Sequence, residues 1–224
     1  MRKINGLQIA VFLLLLSLVV VLGVGSTAVV LGGAPLGDFR GVALVAAGVV
    51  LTYLWAFAVF RGFLRVFPLE PGEVPPGSRQ EFVYHVYLLF FLTVFHPLMR
   101  SGVVPVPLMR LVYLALGARL GANTYSSGII FDPPYVEMGD DCLMGQYALL
   151  VPHVIENERL AHYPIRIGSG VTIGAHAVVM AGVTIEDGAL VATGAVVPKG
   201  ARIGRDEVWG GVPARRLTAR RQEA

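Results

Sequence analysis

From Ile165 to Gly204 the chain reads IRIGSGVTIGAHAVVMAGVTIEDGALVATGAVVPKGARIG. An aliphatic residue stands at every sixth position: Ile167, Ile173, Val179, Ile185, Val191, Val197 and Ile203. Small or aliphatic residues recur four places after the first six of these starts, at Val171, Ala177, Val183, Ala189, Ala195 and Ala201. No α-helix buries one face at that spacing, and an ordinary strand alternates every two residues. Six residues per step, with one large and one small inward side chain, describe short strands joined by tight corners. Three such steps close a triangular coil filled by stacked aliphatics. Backwards, the period reappears at Leu120, Met138, Met144 and Leu150, with Cys142 and Ala148 at the small positions. Ser126 and Asp132 fall at the intervening turns and break the aliphatic rule. The pattern predicts a parallel β-solenoid of about five coils over 120–214, followed by a basic tail, 215–224.

The chain ahead of the solenoid has a different character. Of the 224 residues, 55% are hydrophobic and only 15% charged, which is too apolar for an average soluble domain. The excess is concentrated in Leu7 to Leu31 and Gly41 to Phe60, neither of which contains a charge. Each run is long enough to cross about 30 Å of hydrocarbon at about 1.5 Å per residue, so residues 1–66 are expected to form a transmembrane helical hairpin. A cleaved signal peptide has a shorter apolar core and is not followed so soon by a second span. Arg2 and Lys3 precede the first span and Arg61, Arg65 and Arg79 follow the second, with Arg40 and Asp38 between them. That asymmetry puts both ends of the hairpin on the cytoplasmic side.

Residues 67–119 are expected to be a linker with interfacial helices. Phe82 to Phe95 is short for a span, rich in Phe and Tyr, and bounded by Glu81 and His96-Pro97, as in a helix lying in or dipping into the membrane boundary. Pro105 to Gly117 carries Arg110 within an apolar stretch, which suits an interfacial helix or one packed on the next domain. The net charge of +3 and the tail ARRLTARRQEA suit a membrane surface or an anionic ligand. No motif for reading nucleic acid bases is visible, so no nucleic acid partner is expected. The single cysteine, Cys142, excludes an internal disulfide and reads as a small core residue.

Leu120 to Pro213 resembles the left-handed parallel β-helix of the hexapeptide-repeat acyltransferases. Three further features carry that resemblance. The hexads are interrupted by VPHVIENERLAHYPIR and resume at Pro164-Ile165-Arg166-Ile167-Gly168; in the family, a histidine just before such a return is a general base. His153 matches it. The segment GAVVPKG resembles the lining of an acyl-CoA groove, and GGVPARR, from Gly210 to Arg216, is similar to the family's C-terminal signature. Pro198 departs from the pattern, standing where threonine is common.

Taken with the two apolar runs and the arginines flanking them, the resemblance points to an integral enzyme of the inner membrane, with its catalytic domain and both termini cytoplasmic. It would transfer an acetyl or other short acyl group from acyl-CoA, acetyl-CoA foremost, to a hydroxyl or amine of a membrane-associated acceptor such as a lipid-linked sugar. A solenoid of about five coils has little core of its own, so a homotrimer with sites at protomer boundaries is expected, and no metal is expected. His153 would be the base, since acyl transfer needs a neutral imidazole to take the acceptor's proton. His176, Glu156 and Glu158 are possible supports. Gly182 and Gly194 allow close main-chain approach, and Lys199, Arg215 and Arg216 would meet the phosphates of coenzyme A. Should the excursion add five residues to a full hexad, Leu150 and Ile173 would stack, placing His153 and His176 one coil apart. Two other readings are open: a trimeric membrane scaffold or module of a synthetase-like assembly, and a zinc enzyme like the γ-class carbonic anhydrases. The latter would draw on His153, His162 and His176, which lack that family's close H-x4-H pair.

Overall fold

The first uncharged run folds as helix α1, Gly6–Leu31. Asn5 starts it with a capping box, accepting from Gln8 N–H while the Gln8 side chain accepts from Asn5 N–H, so two otherwise orphaned donors are satisfied. The computed structural model describes residues 2–219. It divides into two units: a helical unit of Arg2–Leu69 with Arg79–His96, and a β unit of Glu70–Ser78 with the chain from Pro97 onwards.

Within the helical unit, α1 packs on α2, Arg40–Val66, through small residues. A Cβ on Gly23 would lie 2.8 Å from Thr52 Cα, so only glycine permits this backbone approach. Helix α3, Arg79–Phe90, continues through a π-helical turn, Phe91–Phe95, into a short helix α4, His96–Arg100. The sequence reading stopped this element at His96-Pro97. The wide turn admits Pro97, whose ring would clash with a regular preceding turn and which has no N–H to donate. Arg79–Arg100 is consequently a 22-residue helical run, and it joins Gly6–Leu31 and Gly37–Val66 as long and apolar enough to cross a membrane by length and composition. Phe60 anchors the unit's core, with its ring 5.6 Å from Tyr87 and 5.0 Å from Phe95. The outer surfaces stay apolar, with Leu14, Val21, Val24, Val42 and Val45 all exposed.

The β unit is a three-sided parallel solenoid. One sheet stacks Arg119–Leu120, Val136–Met138, Ile165–Ile167, Thr184–Ile185 and Arg202–Ile203. A second stacks Tyr125–Ser126, Leu143–Met144, Thr172–Ile173, Leu190–Val191 and Glu207–Gly211. The third stacks Ile129–Ile130, Leu149–Val151, Val178–Met180 and Val196–Val197. Hexad starts Met144, Leu150, Ile173, Val179, Val191 and Val197 are fully buried, and so are Ala148, Ala177, Ala189 and Ala195 at the small positions. Cys142 is buried among them.

Two departures from the strict period matter. Ile130, not Asp132, fills the inward position opposite Leu150, so Asp132 lies off the ladder. The whole excursion after Val151 is also taken up at a single corner. Leu150 therefore stacks on Val179 while Ile173 stacks on Met144, and His153 and His176 are not one coil apart.

The ends of the column are covered. Helix α5, Val106–Leu116, buries Met109, Tyr113 and Leu116. Its Tyr113 hydroxyl donates to Gly128 O and accepts from Ile130 N–H. At the other end Ala214–Ala219 returns antiparallel on Glu207–Gly211. The tail expected from Arg215 is thus strand as far as Ala219, and its remaining residues, 220–224, lie outside the described residues.

Candidate active site

The parallel register decides what meets where the chain leaves the solenoid. Phe131 N–H donates to Leu150 O at 3.0 Å, the last ladder bond on that edge. Asp132 follows it at φ 43° and ψ 61°, a left-handed conformation directly before Pro133-Pro134. Chirality and the following proline both disfavour that geometry, at a cost of about 1–3 kcal/mol. The result is a buried carboxylate whose Oδ2 lies 2.5 Å from His153 Nδ1.

The chemistry of that pair is directional. A carboxylate only accepts, so the contact puts the ring proton on Nδ1 and leaves the Nε2 lone pair available. Asp132 is 2% exposed, whereas the His153 side chain keeps 24% of its surface. Burial works against a charged His153 ring, yet the hydrogen bond and charge of Asp132 outweigh it and lift the pKa above its ordinary value. The Phe131 ring meets the imidazole edge-on at 5.9 Å.

His153 opens a small hairpin of His153–Glu156 and Arg159–His162, in which it stands opposite His162. His162 is 1% exposed and stacks on Tyr135, with ring centres 4.9 Å apart and planes at 15°. Burial lowers its pKa to about 4, with the charge of Asp132 opposing and that of His153 adding. His162 is thus neutral throughout the range in which His153 changes charge. Val154, Ala161 and Ala181 form a buried cluster that seats the hairpin on the solenoid, with Tyr163 packed against it.

The other anticipated residues divide into three places. Gly182, at φ 74°, donates its N–H to Tyr163 O directly beneath the hairpin, and Lys199 reaches back to pair with Glu156. That hydrogen bond and charge hold the Glu156 carboxyl below the usual carboxylate range. The carboxylate on His153 is therefore Asp132, and neither Glu156 nor the exposed Glu158 of the hairpin turn. His176 lies at a different corner, stacked on Tyr147 at 5.2 Å, and Gly194 follows in that corner by donating to Ala175 O. Arg215 and Arg216 sit on the closing strand, Arg216 pairing with Glu207 at 3.2 Å.

Among the described residues no three His, Cys, Asp or Glu side chains gather as a metal-ligand group. A concavity of about 330 Å³ lies on the first sheet, lined by Glu137, Arg166, Thr184, Asp187 and Arg205 among others, and includes no residue of the hairpin. Sequence reasoning missed Asp132. Its one local signal was an Asp set before two prolines where the aliphatic rule failed.

Residues 164–199 match the family model of the bacterial transferase hexapeptide, six repeats. The matched residues lie within the solenoid, which in this part is similar to the bacterial transferase hexapeptide family. No curated protein matches the chain. Among solved structures, a hexapeptide-repeat acetyltransferase of Vibrio cholerae O1 biovar eltor complexed with acetyl coenzyme A is 26% identical, with TM-score 0.44, over 47% of this chain and 62% of that one. A galactoside acetyltransferase in complex with coenzyme A is 31% identical, with TM-score 0.42, over 46% of this chain and 55% of that one. The chain therefore spans less than two thirds of the length of either.

Proposed function

We propose that the protein is a membrane-anchored acyltransferase that moves an acetyl or other short acyl group from acyl-CoA to a hydroxyl or amine. The observation that carries this reading is the His153–Asp132 pair at the edge of a hexapeptide-repeat domain. In the proposed reaction His153 Nε2 takes the acceptor's proton as its oxygen or nitrogen attacks the thioester carbonyl. The acceptor–acyl bond forms, the carbon–sulfur bond breaks, and the proton passes from the imidazolium to the departing thiolate. Main-chain N–H groups along the coil edge near Gly182 and Gly194 would stabilise the developing oxyanion. Lys199, Arg215 and Arg216 are proposed to meet the phosphates of coenzyme A, which would displace Glu156 and Glu207 as their partners.

The same reading includes a left-handed solenoid, a homotrimer with shared sites, and a catalytic domain facing the cytoplasm, where the arginines flanking α1 and α2 would lie. Exposed apolar side chains along the helical unit support a bilayer around it. A catalyst so anchored suits an acceptor that is itself in the bilayer, such as a lipid-linked sugar. Mass spectrometry of lipid extracts from membranes supplied with isotopically labelled acetyl-CoA should reveal an acylated lipid only when the protein is present. Absence of any labelled product, together with failure to bind acyl-CoA, would favour a non-catalytic scaffold.

A further inference from the structure

The hairpin that carries His153 is not a two-stranded structure. Gly72–Glu73 adds a third, antiparallel strand, with Gly72 opposite His162 and Glu73 opposite Ala161. Val74 N–H extends the ladder by donating to Leu160 O at 2.9 Å, and both residues are buried. The Tyr135 hydroxyl, whose ring carries His162, donates to Glu70 O at 3.1 Å. One carboxylate oxygen of Glu73 then gathers three donors: Arg159 Nε at 3.0 Å, Arg159 Nη2 at 2.6 Å and the Tyr163 hydroxyl at 2.7 Å. Arg159 also lies 3.8 Å from Glu156, which holds Lys199.

This strand comes from an unexpected part of the chain. Residues 70–78 connect α2 to α3, so the strand is covalently flanked on both sides by apolar helices. An isolated two-stranded hairpin of this length is marginal in water, and a third strand is what makes such a sheet persist. Each exposed ion pair contributes little alone. Here, however, two donors of Arg159 and the Tyr163 hydroxyl converge on one carboxylate and act with a main-chain ladder.

We infer that the segment between α2 and α3 is a working part of the acyl-transfer site: its strand holds the base-bearing hairpin in register, with Glu73 as a positioning residue. The inference rests on the acyltransferase reading. Glu73 acts through Arg159, Tyr163 and the strand that faces His153. The placement of the base against Asp132 accordingly depends on the tether that joins the apolar helices.

The test uses the full chain in detergent or nanodiscs, with Glu73→Ala, Glu73→Gln and Val74→Pro, the last removing a single main-chain donor. Hydrogen exchange followed by mass spectrometry should show faster exchange over 153–162 in Glu73→Ala and Val74→Pro, with the coils over 172–197 unchanged. Turnover should fall by roughly 10- to 100-fold, as for a catalytic group misplaced by about an ångström, with KM for acetyl-CoA unchanged. Glu73→Gln, which keeps the acceptor oxygen, should recover part of the loss. Unaltered exchange over 153–162 would overturn the inference, as would faster exchange with unaltered turnover. Exchange is read without activity, so an inactive wild type that still shows the exchange difference would sink the acyltransferase reading and not the hold of Gly72–Glu73 on the hairpin.

Discussion

Replacing Asp132 by Asn keeps the shape at His153 and removes the charge. In the native site two effects oppose each other: burial disfavours the imidazolium, and Asp132 favours it strongly enough to leave the His153 pKa raised. With the carboxylate gone only the first remains, so the pKa should fall below its ordinary value of about 6.5. A hydrogen bond to a charged partner is worth about 1.5–3 kcal/mol. Loss of the fixed tautomer should lower turnover by roughly 10- to 150-fold, the same energy expressed as a rate. Two measurements read this: the His153 ring titration by NMR, and the acid limb of kcat/KM against pH, which reports the free enzyme's base. Both should move to lower pH in Asp132→Asn. An unmoved or rising inflection would refute the idea that Asp132 sets the charge of His153.

Two further outcomes follow from the buried side chains. His162 has its pKa lowered to about 4, so the unfolded chain binds a proton there that the folded chain refuses. Its contribution is present above about pH 6.5 and is lost as pH falls towards 4, on the order of 3 kcal/mol in all. His162→Phe should flatten the acid side of a stability–pH curve, and an equally steep curve would count against a buried neutral imidazole. Leu150 is fully buried in the column whereas Leu143 is 52% exposed. Leu150→Ala should therefore cost about 2–5 kcal/mol and Leu143→Ala within about 0.5 kcal/mol. Denaturant titrations that ranked them equally would contradict the inward assignment.

The solenoid was legible because its core is periodic. Each of Ile173, Val179, Ile185, Val191 and Val197 announces one step, at a period that neither a helix nor an ordinary strand has. The first coils were harder, because Ile130 takes an inward place two residues early and the expected hexad start, Asp132, is released from the ladder. Spacing identifies a periodic residue but not a register, and the Asp132–His153 contact is purely a matter of register. The same blindness applies to Gly72–Glu73, since two residues between apolar helices carry no strand pattern. Pro97 misled in the opposite direction. A proline ordinarily ends a helix, and only the π-helical turn at Phe91–Phe95 lets this one continue.

The central claim is that His153 is the base of an acyl transfer from acyl-CoA. Its most direct test is the release of free coenzyme A thiol from acetyl-CoA by the purified protein, in the presence of a membrane lipid extract, compared with His153→Ala. The variant leaves the aliphatic column intact, so it should fold and bind acetyl-CoA as the wild type does. Its turnover should fall by roughly 10²- to 10⁴-fold, the usual contribution of a general base, and the wild-type pH inflection should vanish with it. Equal thiol release by wild type and His153→Ala would contradict the account.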